Sequence, residues 1–136
     1  MKKLFVSVPM RGRTEEEIRK SIEKMKAIAE AYEGEPLELI QSYDPTYVPS
    51  VKNNAIAHLG KALEKLADAD LLITISDVYD FPGCYIESET AYRYGIKVIK
   101  IDSEYIIKNY YSYLREIMTP KDTPVTEEAY ENIKTV

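Results

Sequence analysis

A single cysteine, Cys84, and a single histidine, His58, stand in 136 residues, which excludes an intramolecular disulfide and leaves no Cys/His set for zinc. Tryptophan is absent, and no apolar run approaches the length that spans a bilayer. The formal net charge is -5 and no long basic run occurs, so the phosphate-neutralising footprint of a binder of polymeric DNA or RNA is missing. A single phosphate is still allowed, because one helix N-terminus and one arginine hold it whatever the overall charge. Met1-Lys2-Lys3 runs at once into Leu4-Phe5-Val6, too short an apolar stretch for a signal-peptide core. The expectation is a cytoplasmic protein with no membrane attachment.

What is present is an ordinary globular mixture, 45% hydrophobic and 30% charged, sufficient for one domain with its own core. Leu4 to Val8 is a β-rich run closed by Pro9 and predicts a central strand ending in the turn Pro9-Met10-Arg11-Gly12-Arg13. Thr14 with Glu17 fits a capping box, and Ile18, Ile22, Met25, Ile28 and Ala29 recur at helical spacing to about Tyr32, before Gly34. Leu37 to Ile40 predicts a second strand, and a long loop rich in Pro, Tyr and Ser runs from about Ser42 to Lys52. Loops of that length either border a site or are surface excursions, and both readings stay open.

Ala55, Ile56, Leu59, Leu63 and Leu66 form a helical stripe, and Leu71 to Ile75 is the most apolar strand in the chain. A polar loop with aromatic insertions, Ser76 to Gly83, leads to a helical pattern from Cys84 to Tyr94, and Lys97 to Ile101 returns as a strand. Strand and helix therefore alternate, which predicts an α/β fold: a doubly wound parallel sheet of the Rossmann or flavodoxin-like kind, with right-handed crossovers and strand order 2-1-3-4. Residues 1–118 make this domain, with helical potential from Glu104 to Met118. Residues 119–136 are a C-terminal extension or tail, in which Thr126 to Lys134 has the pattern of a short helix.

In an open doubly wound sheet, ligands bind beyond the carboxyl ends of the strands, where the winding changes direction. For order 2-1-3-4 that place lies between strands 1 and 3, so the Pro9 to Arg13 and Ser76 to Gly83 loops are expected to converge there. Ser7, Pro9, Met10, Arg11 and Gly12, with the free amides of the Thr14 helix, suit an anionic group such as a phosphate. Arg11 alone is equally a solvated charge on a tight turn. In the second segment Gly83, Glu87, Ala91 and Tyr94 share one helical stripe, so Glu87 is expected to point inward or toward the cleft. A carboxylate there attacks an electrophilic sugar carbon or stabilises the positive charge of a breaking glycosidic bond, and the helix N-terminus is expected to favour its ionised form. The competing structural role is a cap or salt bridge within its own helix.

The pattern Gly83-x-x-x-Glu87-x-x-x-Ala91 entering a helix after strand 3, with Ser7-x-Pro9-Met10-Arg11-Gly12 after strand 1, resembles the nucleoside 2-deoxyribosyltransferase superfamily. That superfamily includes a branch of nucleoside 5'-monophosphate N-glycosidases, and the resemblance runs from about Lys2 to Ile101. In texture the chain is most similar to small bacterial and phage members with Gly-Cys-x-Ile-Glu-x-Glu in the second motif. The resemblance implies Glu87 as the nucleophile at the anomeric carbon and Ser7, Arg11 and Gly12 as holders of a 5'-phosphate. It implies no metal and no redox cofactor, and a homo-oligomer in which a neighbouring subunit completes the pocket. One departure stands out: Ala62 occupies the place of a carboxylate, usually Asp, that helps hold the sugar or the leaving base. Asp77 and Asp80, in the loop after strand 3, are the candidate replacements.

Tyr105, Tyr110, Tyr111 and Tyr113 cluster in the C-terminal helical segment and predict either an oligomer contact or packing of that helix on the sheet. Tyr43, Tyr47, Tyr79 and Phe81 lie on loops near the expected cleft, for base stacking or for loop packing. His58 is read as a surface or half-buried structural residue, and Cys84 as a packing residue. Two functions remain: an enzyme acting on the N-glycosidic bond of a small nucleoside or nucleotide, and a non-catalytic nucleotide-binding or sequestering module of the same fold. A protein-interaction domain with a vestigial cleft is a weaker third.

Overall fold

The computed structural model describes residues 1–42, 44 and 46–118. Four parallel strands, β1 (Lys3–Val6), β2 (Glu38–Leu39), β3 (Leu71–Ile75) and β4 (Lys97–Ile101), form one sheet in the order β2-β1-β3-β4. The intervening helices are α1 (Glu15–Glu33), α2 (Asn54–Leu66) and α3 (Pro82–Arg93), followed by α4 (Ser103–Ile106) and α5 (Tyr110–Met118). This is the doubly wound α/β architecture, with the strand order expected from the alternation of elements.

The central strands are buried on both faces, so they are apolar at nearly every position rather than at alternate ones. Leu71 and Ile73 on β3, with Leu4 and Val6 on β1, pack with α1 through Ile18, Met25 and Ala29, and with Ile106 and Tyr110 from the C-terminal helices. Phe5 and Leu72 face the other way, against Ala62 and Leu66 of α2 and Ala91 of α3. Thr74 also lies on β3, wholly buried, and its hydroxyl has no hydrogen-bond partner among the described residues.

Thr14 caps α1 as the sequence predicts: its hydroxyl accepts from the Glu17 amide at 3.1 Å, and the Glu17 carboxylate accepts from the Thr14 amide at 3.2 Å. Several boundaries differ from expectation. β1 stops at Val6, although the Ser7 amide still donates to the Ile73 carbonyl at 2.9 Å. β2 is only Glu38–Leu39, an edge strand held by β1 alone. α3 starts at Pro82, whose fixed φ suits the first helical position, so Gly83 lies inside the helix rather than ahead of it.

The Glu104 to Met118 segment is two helices, broken at Asn109, which adopts a left-handed backbone (φ 59°) that asparagine tolerates better than most residues. The expected helix from Thr126 to Lys134 lies outside the described residues. Among the described residues, no helix is long and apolar enough to cross a membrane.

Candidate active site

The loops that leave β1 and β3 meet where the winding reverses. A cleft of about 590 Å³ opens there, lined by Pro9, Met10 and Arg11 on one side and by Asp80, Phe81, Gly83, Cys84 and Glu87 on the other. One face of α2 closes it through Ala55, His58, Leu59, Ala62 and Lys65, spaced so that they share a stripe. Ser42, Asp44 and Tyr47, from the long loop after β2, complete that wall. The loop therefore borders the cleft, which the sequence left undecided.

Glu87 sits in the second turn of α3. Its Oε1 accepts a hydrogen bond of 2.7 Å from Ser7 Oγ, the first residue past β1. Ala91, one turn further along, is fully buried against the sheet, whereas Tyr94 is 81% exposed and does not share that burial as expected. The stripe thus points Glu87 to the open end of the sheet rather than to its middle. Burial pushes the Glu87 carboxyl up to about 7, and the Ser7 hydrogen bond opposes this by favouring the charged form. The helix N-terminus was expected to favour the ionised form of Glu87; burial acts against that form.

Ser7 is 1% exposed and spends its hydroxyl on Glu87. It is placed to orient a carboxylate, in contrast to the phosphate contact that the resemblance implies for it. Cys84, also in the cleft wall, is buried, and its thiol is pushed up to about 12 by the same loss of water. It is a neutral packing group at physiological pH. The first turn of α3 carries no side-chain cap, so amides beside Gly83 and Cys84 face the cleft end of the helix without a capping side chain.

Arg11 is exposed on the cleft rim, with Pro9 and Met10 beside it. Its neighbour Arg13, which the sequence reading did not single out, holds the loop in place. The Arg13 guanidinium donates to the Pro9 carbonyl at 3.0 Å and to Ser21 Oγ on α1 at 2.5 Å. The serine on the otherwise apolar buried face of α1 was the available signal for this anchor. Gly12 has φ +73° and does not line the cleft. Its lack of a side chain admits α5: a Cβ there would lie 3.0 Å from Ile117 Cγ2.

The two acidic candidates after β3 separate. Asp80 lines the cleft, whereas Asp77 accepts from Ser103 Oγ at 3.1 Å and is not among the lining residues. Ala62, where the resemblance implies a carboxylate, lines the cleft from α2 and is 8% exposed. Asp44 lies at the same wall, near Lys61 and Lys65, and its carboxyl is held below the ordinary range first by Thr46 and then by those cations.

Of the aromatic loop residues, Tyr47 and Phe81 line the cleft; Tyr79 is 81% exposed, pairs with Tyr85 at 5.3 Å and is not in the lining. Tyr43 is outside the described residues. His58 lines the cleft, edge-on to Tyr47 at 5.2 Å. Its solvent-exposed place agrees with a surface residue, but its position in the wall was not foreseen. Among the described residues no group of three or more His, Cys, Asp or Glu is arranged to hold a metal.

A scan against protein-family models gives no match to this chain, and a search of curated proteins gives none.

Proposed function

We propose that this chain belongs to the class of enzymes that act on a small anionic glycoside through a carboxylate nucleophile. Within that class, the reading is cleavage or exchange of the N-glycosidic bond of a nucleoside or nucleoside 5'-monophosphate, as an N-glycosidase or a 2-deoxyribosyltransferase-like enzyme. The observation that carries it is the Ser7–Glu87 hydrogen bond at the wall of a cleft that Arg11 also lines. A half-buried carboxylate, held at one oxygen and open to a cavity of nucleotide size, is the arrangement that attack on a sugar carbon requires.

The step runs as follows. Ionised Glu87 donates an electron pair to the anomeric carbon while the bond from that carbon to the base nitrogen breaks. The base leaves with the electron pair of the broken bond and takes a proton from solvent. Water, losing a proton, or a second base then displaces Glu87 and restores its carboxylate. Ser7 Oγ–H, fixed on Oε1, leaves Oε2 as the attacking atom, and Arg11 holds the phosphate at the other end. Asp80 is the carboxylate placed to assist from the loop after β3, and neither metal nor redox cofactor enters the step.

The second reading, a nucleotide-binding or sequestering module, rests on Ala62, an apolar residue where the resemblance expects an acid. One experiment separates the two. Purified protein is incubated with a panel of nucleosides and nucleoside 5'-monophosphates, and free base is followed by chromatography beside Glu87→Ala. Base release that the variant loses by about a thousandfold or more supports the enzyme. Binding without release supports the module, and neither binding nor release overturns both.

A further inference from the structure

The C-terminal helix α5 is not a passive cover on the sheet. Tyr113 OH donates to the carbonyl of Arg11. One turn further along, Ile117 lies against Gly12 and also lines the cleft. The other face of the Tyr113 ring stacks on Phe81, with centroids 6.2 Å apart and planes 14° from parallel. Phe81 is the last residue before α3 and itself lines the cleft. Tyr110, one turn earlier, is 1% exposed, packs on Phe81 at 6.2 Å and donates to the Asp77 carbonyl at 3.3 Å. Every one of these contacts joins α5 to a loop that leaves β1 or β3.

We infer that α5 is a brace that positions the anion-binding loop relative to the nucleophile helix, with Tyr113 and Ile117 as positioning residues. The inference rests on the reading of Arg11 as the phosphate ligand. The side chain of Arg11 starts from a backbone whose carbonyl is tied to Tyr113, and whose next residue is Gly12 in a left-handed conformation against Ile117. Within the loop the Arg13 amide donates to the Met10 carbonyl at 3.2 Å and the Arg13 guanidinium to the Pro9 carbonyl at 3.0 Å, and neither of these bonds holds the Arg11 carbonyl. Without the tyrosine hydroxyl the Arg11 carbonyl turns to solvent and the guanidinium samples a wider arc, which weakens a charge-assisted contact through lost orientation.

Tyr113→Phe keeps the ring on Phe81 and removes only the hydroxyl, and Tyr111→Phe, on the exposed side of the same helix, is the control. Two readouts are taken on the full chain. Amide hydrogen exchange across residues 9–13 is expected to accelerate about tenfold in Tyr113→Phe and to stay unchanged in Tyr111→Phe. In the base-release assay, KM for a nucleoside 5'-monophosphate is expected to rise about tenfold in Tyr113→Phe with kcat preserved, while KM for the unphosphorylated nucleoside holds.

Unchanged exchange in residues 9–13 overturns the brace, whatever the activity. An equal loss on both substrates, carried by kcat, assigns Tyr113 a general structural role and overturns the positioning inference. If wild-type protein releases no base, the proposed function falls on that result alone, and the exchange measurement still decides whether α5 holds the loop.

Discussion

Ser7 and Glu87, separated by 80 residues in the chain, are joined by a hydrogen bond of 2.7 Å at the point where the sheet reverses its winding. The bond ties the residue that follows β1 to the second turn of α3, so the nucleophile candidate is held against the end of a buried strand. The bond favours the charged form of Glu87, and the burial of the carboxyl opposes it.

For activity, the Ser7 hydroxyl stabilises the charged form of Glu87, so Ser7→Ala should raise the Glu87 carboxyl further above its present value of about 7. A hydrogen bond to a charged group contributes roughly 1.5–3 kcal/mol, enough to move the acid limb of the kcat/KM profile upward by about one to two pH units. The variant is expected to lose most of its activity at pH 7 and to recover much of it at pH 9. A midpoint unmoved by Ser7→Ala would show that the limb belongs to another group.

For stability, the burial of Glu87 sets the sign. The folded chain holds the Glu87 proton up to about pH 7, whereas the unfolded chain releases it near 4.5, so stability falls as pH rises between those values. Above pH 7 the cost of the buried charge is fully present, on the order of 3 kcal/mol. Glu87→Gln removes it, so the variant should be more stable than wild type by ~1–3 kcal/mol at pH 8 and equal to it at pH 4. Urea denaturation at the two pH values checks this; a variant gain that does not depend on pH would refute it.

Arg11 is expected to discriminate by charge. Arg11→Ala should raise KM for a nucleoside 5'-monophosphate about 10–100-fold, the range of a lost charge-assisted hydrogen bond, with little effect on the parent nucleoside. Parallel titrations of the two substrates decide it, and an equal effect on both would remove Arg11 from phosphate recognition.

Thr74 offers a prediction independent of function. Its hydroxyl is buried in β3 without a partner, so Thr74→Val, which keeps the shape and drops the polar atom, should be neutral or stabilising by about 1 kcal/mol. A lowered melting temperature in that variant would mean that the hydroxyl has a partner in solution.

The strand order and the convergence of two loops were legible in the sequence because they follow from local signals: short β-rich runs, helical spacing between them and the geometry of parallel crossovers. Leu71 to Ile75 needed no tertiary information to be recognised as a buried strand. The direction of single side chains was less accessible. Ser7 was assigned to a phosphate, yet its partner is Glu87, because a bond across 80 residues depends on how the end of β1 meets α3.

The same limit explains Asp77 and Asp80. They are neighbours in one short loop, and only the 3-10 turn at Val78–Asp80 sends the first to Ser103 and the second to the cleft. On α2, residues spaced for one buried stripe divide between a core pair, Ala62 and Leu66, and an exposed end at Ile56, because the helix overhangs the cleft. The tyrosines of the C-terminal segment declared an apolar face but not what it covers. Tyr110 and Tyr113 turn toward Phe81, and Tyr105 and Tyr111 toward solvent.

The left-handed turn at Asn109 sends the chain back across the strand ends after the last strand is complete. Among the described residues, the four strands and the three long helices are finished before residue 103, while Ile117 reaches the cleft wall only afterwards. A chain cut back to residue 108 would lose Tyr113 and Ile117 together with the buried Tyr110, leaving the Pro9–Arg13 loop unsupported and part of the core uncovered.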